Sequence, residues 1–136
     1  MALAFSPAWA EAWCAALNDS ETYRTVAATW EGDVVLVVRA TEGSEQAVYL
    51  DLHHGRCRGA RIATGVDRSA VAFALEADPP VWRELLEGKG SPVMALMTGR
   101  LKLTKGDLVA LVPYAGAAKE LLTLAAQIET TFPPGW

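Results

Sequence analysis

The spacing of apolar positions changes period several times along the chain, and each change marks an expected element. From Pro7 to Leu17 the spacing is helical, with Trp9, Trp13 and Leu17 along one face. Asp19 or Ser20 then caps a short second helix through Tyr23 to Ala27. DVVLVVRA (33–40) is apolar on both faces, as a central strand covered on each side should be. After a turn at Glu42-Gly43-Ser44, QAVYLDLHH (46–54) alternates, placing Val48, Leu50 and Leu52 on one face. His54-Gly55 turns into RCRGARIA (56–63), whose arginines suit an exposed strand, so three strands form an antiparallel meander. SAVAFALE (69–76) alternates Val71, Phe73 and Leu75 with three alanines; its bare alanine face suits close packing by a helix, or approach by a ligand.

Three helix starts use one device, a short polar cap followed by proline: Ser6-Pro7, Asp78-Pro79 and Ser91-Pro92. The second begins a helix from Asp78 to Glu87 with Val81, Trp82, Leu85 and Leu86 inward, closed by Gly88. The third runs from Ser91 to Thr98 with Val93, Met94, Leu96 and Met97, closed by Gly99. Arg100 to Thr104 is an expected strand with Leu101 and Leu103 inward. Gly106-Asp107 opens a last helix, broken at Pro113 and resuming to about Glu129, with Leu108, Leu111, Val112, Leu121, Leu122, Leu124, Ala125 and Ile128 on its inner face. Residues 130–136, TTFPPGW, read as an irregular tail. Helices, a meander, one more strand, two helices, a strand and a helix make an α+β arrangement.

Composition narrows the use of this scaffold. At 136 residues the chain suits one domain, 1–136, with 1–28 as N-terminal helices. Hydrophobic residues make up 51% and charged residues 21%, and a net charge of −4 argues against a nucleic-acid partner. The first positive charge is Arg24, so no basic segment precedes the apolar start and a secretory leader is not expected. No uninterrupted apolar run reaches the ~18 residues of a membrane span. Cys14 and Cys57 form no CxxC pair, and reduced thiols in a cytoplasmic protein are the expectation.

Chemistry is scarce. His53 and His54, as strand neighbours, should point to opposite faces and so not share a metal. No GxSxG elbow occurs, and Gly88-Lys89 lacks the glycine that a phosphate loop has five residues earlier, where Arg83 stands. Arg56, Arg58, Arg61 and Arg68 crowd one region; they suit a charged edge strand that resists aggregation, or an anionic headgroup. Without an acid, base, nucleophile or metal set, a hydrolase or transferase using His53 and His54 has little support.

Trp30-Glu31-Gly32, then YLDLHHGRC, then above all LLEGKGSPVMALMTGRLKLTKGD, together give the chain its likeness: it resembles the sterol carrier protein family of lipid carriers, from about Thr29 to Ala125. The stretch from Gly99 to Gly106 is one residue longer than the family's usual spacing, which points to a bulge near Thr104-Lys105. PPGW lacks the peroxisomal tripeptide of some members, consistent with a cytoplasmic location.

The resemblance implies a five-stranded, mostly antiparallel sheet packed by helices, with an apolar tunnel between them. It implies binding and transfer of a fatty acid, fatty acyl-CoA, phospholipid or sterol-like lipid, without a cofactor and without chemical change to it. The wall is expected to draw on Phe73, Trp82, Leu85, Leu86, Met94, Met97, Leu101, Leu103, Leu108 and Leu111. Burying about 14 methylenes at ~0.8 kcal/mol each gives roughly 11 kcal/mol before ordering costs, so such a site needs few polar groups. Transient membrane contact and a homodimer are compatible with this reading. A second reading makes the same fold a non-catalytic assembly module whose five Trp serve an interface.

Overall fold

In the computed structural model, which describes residues 2–39, 45–134 and 136, the N-terminal helix α1 spans Pro7–Asn18 and α2 spans Glu21–Val26. Both start where a serine can act as a cap: Ser6 Oγ accepts from Trp9 N–H (3.2 Å), and Ser20 Oγ from Tyr23 N–H (3.0 Å). The strands β2 (Val34–Val38), β3 (Gln46–His53) and β4 (Arg56–Ile62) follow. They are preceded by β1, a two-residue strand at Ala2–Leu3. The turn expected at Glu42-Gly43-Ser44 lies outside the described residues.

Beyond β4 come α3 (Gly65–Ala70), β5 (Phe73–Ala77), α4 (Pro79–Leu86), α5 (Pro92–Met97) and β6 (Leu101–Lys105). Then α6 (Leu108–Leu111) passes through a 3-10 turn at Val112–Tyr114 into α7 (Ala115–Ala126), and β7 (Thr130–Thr131) ends the series. The main sheet has five strands in the order β4-β3-β2-β5-β6, antiparallel except for the central β2–β5 pair.

Several expectations are corrected. The strand expected over 69–76 starts only at Phe73, because a capping box claims the residues before it for α3. Thr64 Oγ accepts from Asp67 N–H, and Asp67 Oδ2 accepts from Thr64 N–H. Asp33 fixes where the strand begins: its carboxylate accepts from Ala72 N–H (2.8 Å) and from the Tyr49 hydroxyl (2.8 Å). The expected alanine face does not form as one: Ala70 and Ala72 are exposed, and only Ala74 is buried, where Ala63 and Val71 of the crossover pack with it and with Val35, Val37 and Ala47; α3 itself buries nothing. Asp78 makes no side-chain cap, since its carboxylate pairs with Arg39 at 3.1 Å. The final helix ends at Ala126 rather than Glu129. Part of the expected irregular tail forms a parallel pair, Thr130 and Thr131 against Ala2 and Leu3.

The bulge inferred from the glycine spacing is present. Leu75 stands opposite Leu103 while Ala74 stands opposite Lys105, so Thr104 is the extra residue. Lys105 is thereby turned to the far side of the sheet, where its amine reaches the Ser69 carbonyl.

The larger core lies on the other face, between the sheet and α1, α2, α4 and α7. Its indoles find partners as buried Trp N–H groups must. Trp82 donates to the Val37 carbonyl (2.8 Å), Trp13 to the Leu121 carbonyl (2.9 Å) and Trp9 to Thr130 Oγ1 (3.1 Å). Packing of α1 across β4 brings Cys14 and Cys57 together as a disulfide, with Cα atoms 5.4 Å apart. Free thiols were the expectation from their sequence spacing, and it is overturned by this non-local packing. Asn18 reinforces the contact, accepting from Cys57 N–H (2.9 Å) and donating to the Cys57 carbonyl (2.8 Å).

Candidate functional site: an apolar cavity

An apolar cavity of about 290 Å³ opens between the main sheet face and the helices. The sheet supplies Val34, Leu36, Leu52, Phe73, Leu75 and Leu101; α2 supplies Tyr23; α5, α6 and α7 supply the opposite wall. Alternation explains the sheet's contribution, because residues two apart on β2 and β5 share the face that the helices cover. Trp30 closes one side, with ring centroids 5.0 Å from Phe73 and 4.9 Å from Tyr114. The Tyr114 hydroxyl donates to the Thr29 carbonyl (3.2 Å), fixing the 3-10 turn to the segment before β2.

Pro113 sits in that turn and bends the run away from one continuous helix. Leu108–Ala126 is long and apolar enough, by composition, to cross a membrane. In the fold it instead buries Ala117, Leu122, Leu124 and Ala125 and lines the cavity. The short α6 buries none of its residues. Its Leu108, with Val112, Val93 and Met97, forms an exposed apolar rim to the cavity, and Val109 lies beside it at 74% exposure.

Of the residues expected in the wall, Phe73, Trp82, Met97, Leu101, Leu108 and Leu111 line this cavity. Leu85, Leu86, Met94 and Leu103 do not, and each is corrected for a local reason. Leu85 and Leu86 are spent on the closed core. In α5 the buried positions are Pro92 and Ala95, and with that face against the core Met94 is turned out to 55% exposure. Leu103 is half-buried on the edge strand β6, next to the bulge. Sequence reasoning missed Tyr23, Trp30, Val34, Leu36, Leu52, Leu75 and the α7 residues Ala117, Ala118, Leu121 and Leu122. The alternation of β3 and of the segment leading into β5 was a signal for Leu52 and Leu75; β2 is apolar at every position, so only tertiary packing singles out Val34 and Leu36, along with Tyr23 and Trp30.

The arginine cluster lies elsewhere. β4 is an edge strand, and none of Arg56, Arg58, Arg61 or Arg68 lines the cavity. Arg58 pairs with Asp51 (3.0 Å), Arg61 with Asp67 (2.5 Å) and Arg68 with Glu45 (2.8 Å). The hydrogen bond from Thr64 N–H is the main cause that holds the Asp67 carboxyl below its usual range, with Arg61 adding to it. These are solvated surface pairs protecting an edge, and the headgroup alternative is not supported by their position.

Burial pushes the Tyr23 phenol up to about 12. Burial, together with its hydrogen bond to Asp33, does the same for Tyr49, also to about 12. Both phenols therefore hold their protons more tightly in the fold than in the unfolded chain, where they titrate near ~10. Their contribution to stability is complete below about pH 10 and is lost as pH rises from there through about 12. Tyr23→Phe should flatten the fall in denaturant midpoint over that range; an unchanged alkaline profile would count against this assignment.

A family model for the SCP-2 sterol transfer family matches residues 10–119. The chain belongs to this family. A crystal structure of sterol carrier protein 2 is 46% identical to it, with a TM-score of 0.86, covering 92% of this chain and 98% of that one. A solution structure of a conserved hypothetical protein from Thermus thermophilus is also 46% identical, with a TM-score of 0.85 and coverage of 93% and 90%. Sterol carrier protein 2 from Yarrowia lipolytica, in its apo form, is 22% identical with a TM-score of 0.58, over 87% of this chain and 89% of that one; it shows the shared fold alone. No curated protein matches the sequence. In this SCP-2 family chain the five-stranded mixed sheet and its helical cover agree with the architecture expected above.

Proposed function

We propose that this chain binds the hydrocarbon part of a lipid in the cavity and carries it between membranes without altering it. The observation that carries the reading is the chemistry of the wall: it has no charged side chain among the described residues, and it opens through an apolar rim. Its volume, about 290 Å³, stands at the lower end of the ~300–1,000 Å³ typical of small-molecule pockets. That suits one acyl chain, as in a fatty acid or fatty acyl-CoA, with the polar head left at the mouth. A phospholipid or sterol would need the cavity to widen, which α5 and α6 could allow because α5 buries only Pro92 and Ala95 and α6 buries no residue.

The rim explains how the cargo could enter. Met97, Leu108, Val109 and Val112 present apolar side chains beside the opening, where a bilayer surface can receive them and shorten the lipid's path through water. Native mass spectrometry of the purified chain, followed by lipid extraction, is the test. Bound lipid, or saturable rebinding of a fluorescent fatty acid by the delipidated protein, is expected. Absence of both the adduct and the rebinding rejects the proposal. In the same preparation Val109→Asp, which lies outside the cavity wall, should slow transfer from vesicles while leaving equilibrium affinity unchanged.

A further inference from the structure

The tip of the β3–β4 hairpin carries a cluster that the cavity does not use. Adjacent residues of a strand project to opposite faces, which is why the sequence alone separates His53 from His54. The structure overturns this. The hairpin closes through His54 and Gly55, both at positive φ (49° and 78°), the backbone signature of a type I′ turn. That left-handed step swings His54 back beside its neighbour. The imidazole rings lie parallel within 4°, with centroids 4.1 Å apart. His54 Nε2 is 2.7 Å from Glu31 Oε1, and one ligand atom from each of Glu31, His53 and His54 lies within 4.8 Å of the other two.

The backbone under this cluster is fixed from three directions. His54 N–H donates to the Trp30 carbonyl (2.7 Å), and Glu31 bridges to His53 as an isolated β-pair. A Cβ on Gly55 would lie 2.6 Å from the Arg24 carbonyl oxygen, so the turn is pressed against α2. The His54 and Glu31 side chains are open to solvent, 51% and 65% exposed, and His53 is half-buried.

We propose that Glu31, His53 and His54 form a three-ligand site for a divalent transition metal, with Zn²⁺ the expected ion and water completing its coordination. Two imidazole nitrogens and one carboxylate oxygen match Zn²⁺, Co²⁺, Ni²⁺ or Cu²⁺ and not the all-oxygen preference of Mg²⁺ or Ca²⁺. Ligand bonds of ~2.0–2.2 Å require the three donors to close to roughly 3–3.5 Å of one another. Rotation of the two imidazoles supplies that closure; it unstacks them and exchanges the His54–Glu31 hydrogen bond for metal bonds. The ion would tie the segment before β2, which includes the cavity residue Trp30, to the β3–β4 hairpin.

The test is titration of the chelator-treated full chain with Co²⁺, read by its visible absorption, followed by displacement with Zn²⁺ and calorimetry. Reductant is omitted so that Cys14 and Cys57 stay paired and offer no thiolate. One ion per chain is expected, with affinity lowered about tenfold or more in His53→Gln and in Glu31→Gln. Neither substitution touches the left-handed residue, so both variants keep the turn, and circular dichroism checks this. Zn²⁺ should raise the melting temperature of the parent chain and not of the variants. No binding, or binding and thermal shift retained in both variants, overturns the proposal whatever the lipid measurements show.

Discussion

Gly106→Ala is expected to lower stability by about 2–5 kcal/mol and to weaken lipid binding with it. Gly106 has φ of 101°, a region that an L side chain enters only at a cost of roughly 1–2 kcal/mol. Its surroundings add a second penalty. A Cβ there would lie 2.3 Å from Phe73 Cδ1, 2.9 Å from Cε1 and 3.0 Å from the Ala72 carbonyl oxygen. Phe73 cannot swing aside cheaply, because its ring packs on Trp30 and forms part of the cavity wall. Overpacking of this kind costs about 1–3 kcal/mol.

Gly99 provides the control. It has φ of 78°, yet a Cβ there would meet nothing within 4 Å, so Gly99→Ala should show the conformational cost alone. Urea unfolding of the two variants separates the terms. Equal losses would mean that the Phe73 contact is soft and that the wall is not held as described.

The same contrast between local and non-local causes decides what was legible in the sequence. Helix starts at Ser6-Pro7 and Ser91-Pro92 were legible because a cap acts on amides two or three residues away. The bulge at Thr104 was legible through the family resemblance, against whose usual glycine-to-glycine spacing this chain has one residue more. Of the cavity wall, Phe73, Trp82, Met97, Leu101, Leu108 and Leu111 were expected, about a quarter of the residues that line it. Met94 was expected too and does not line it, since the phase of α5 is set by how Pro92 and Ala95 meet the core. The capping box at Thr64 and Asp67 competed with an alternating pattern, and the local hydrogen bonds prevailed. The His53–His54 stack was hidden by one positive φ, and the Cys14–Cys57 pair by packing of two elements far apart in sequence. Period-two reasoning assumes extended backbone, and it fails wherever a turn residue steps out of that region.

Leu75→Trp should abolish tight lipid binding while leaving the fold as stable as before or more so. Leu75 lies on β5, beside Leu36 and opposite Leu103, with its side chain half-buried in the cavity wall. An aromatic residue suits a strand, and here the added ring has empty space to enter rather than packed neighbours to displace. Filling a cavity commonly contributes about 0.5–2 kcal/mol. The ligand loses what the indole occupies: excluding about four methylenes at ~0.8 kcal/mol each weakens binding by roughly two-hundredfold. The dependence on chain length carries the same signature. In the parent chain, affinity for saturated fatty acids should rise about fourfold per methylene until the cavity is full. In Leu75→Trp the series should level off several carbons earlier. Gly106→Ala would lose stability and binding together, whereas this variant separates them. If Leu75→Trp keeps full affinity with an intact fold, the lipid does not reside between this sheet face and the helices.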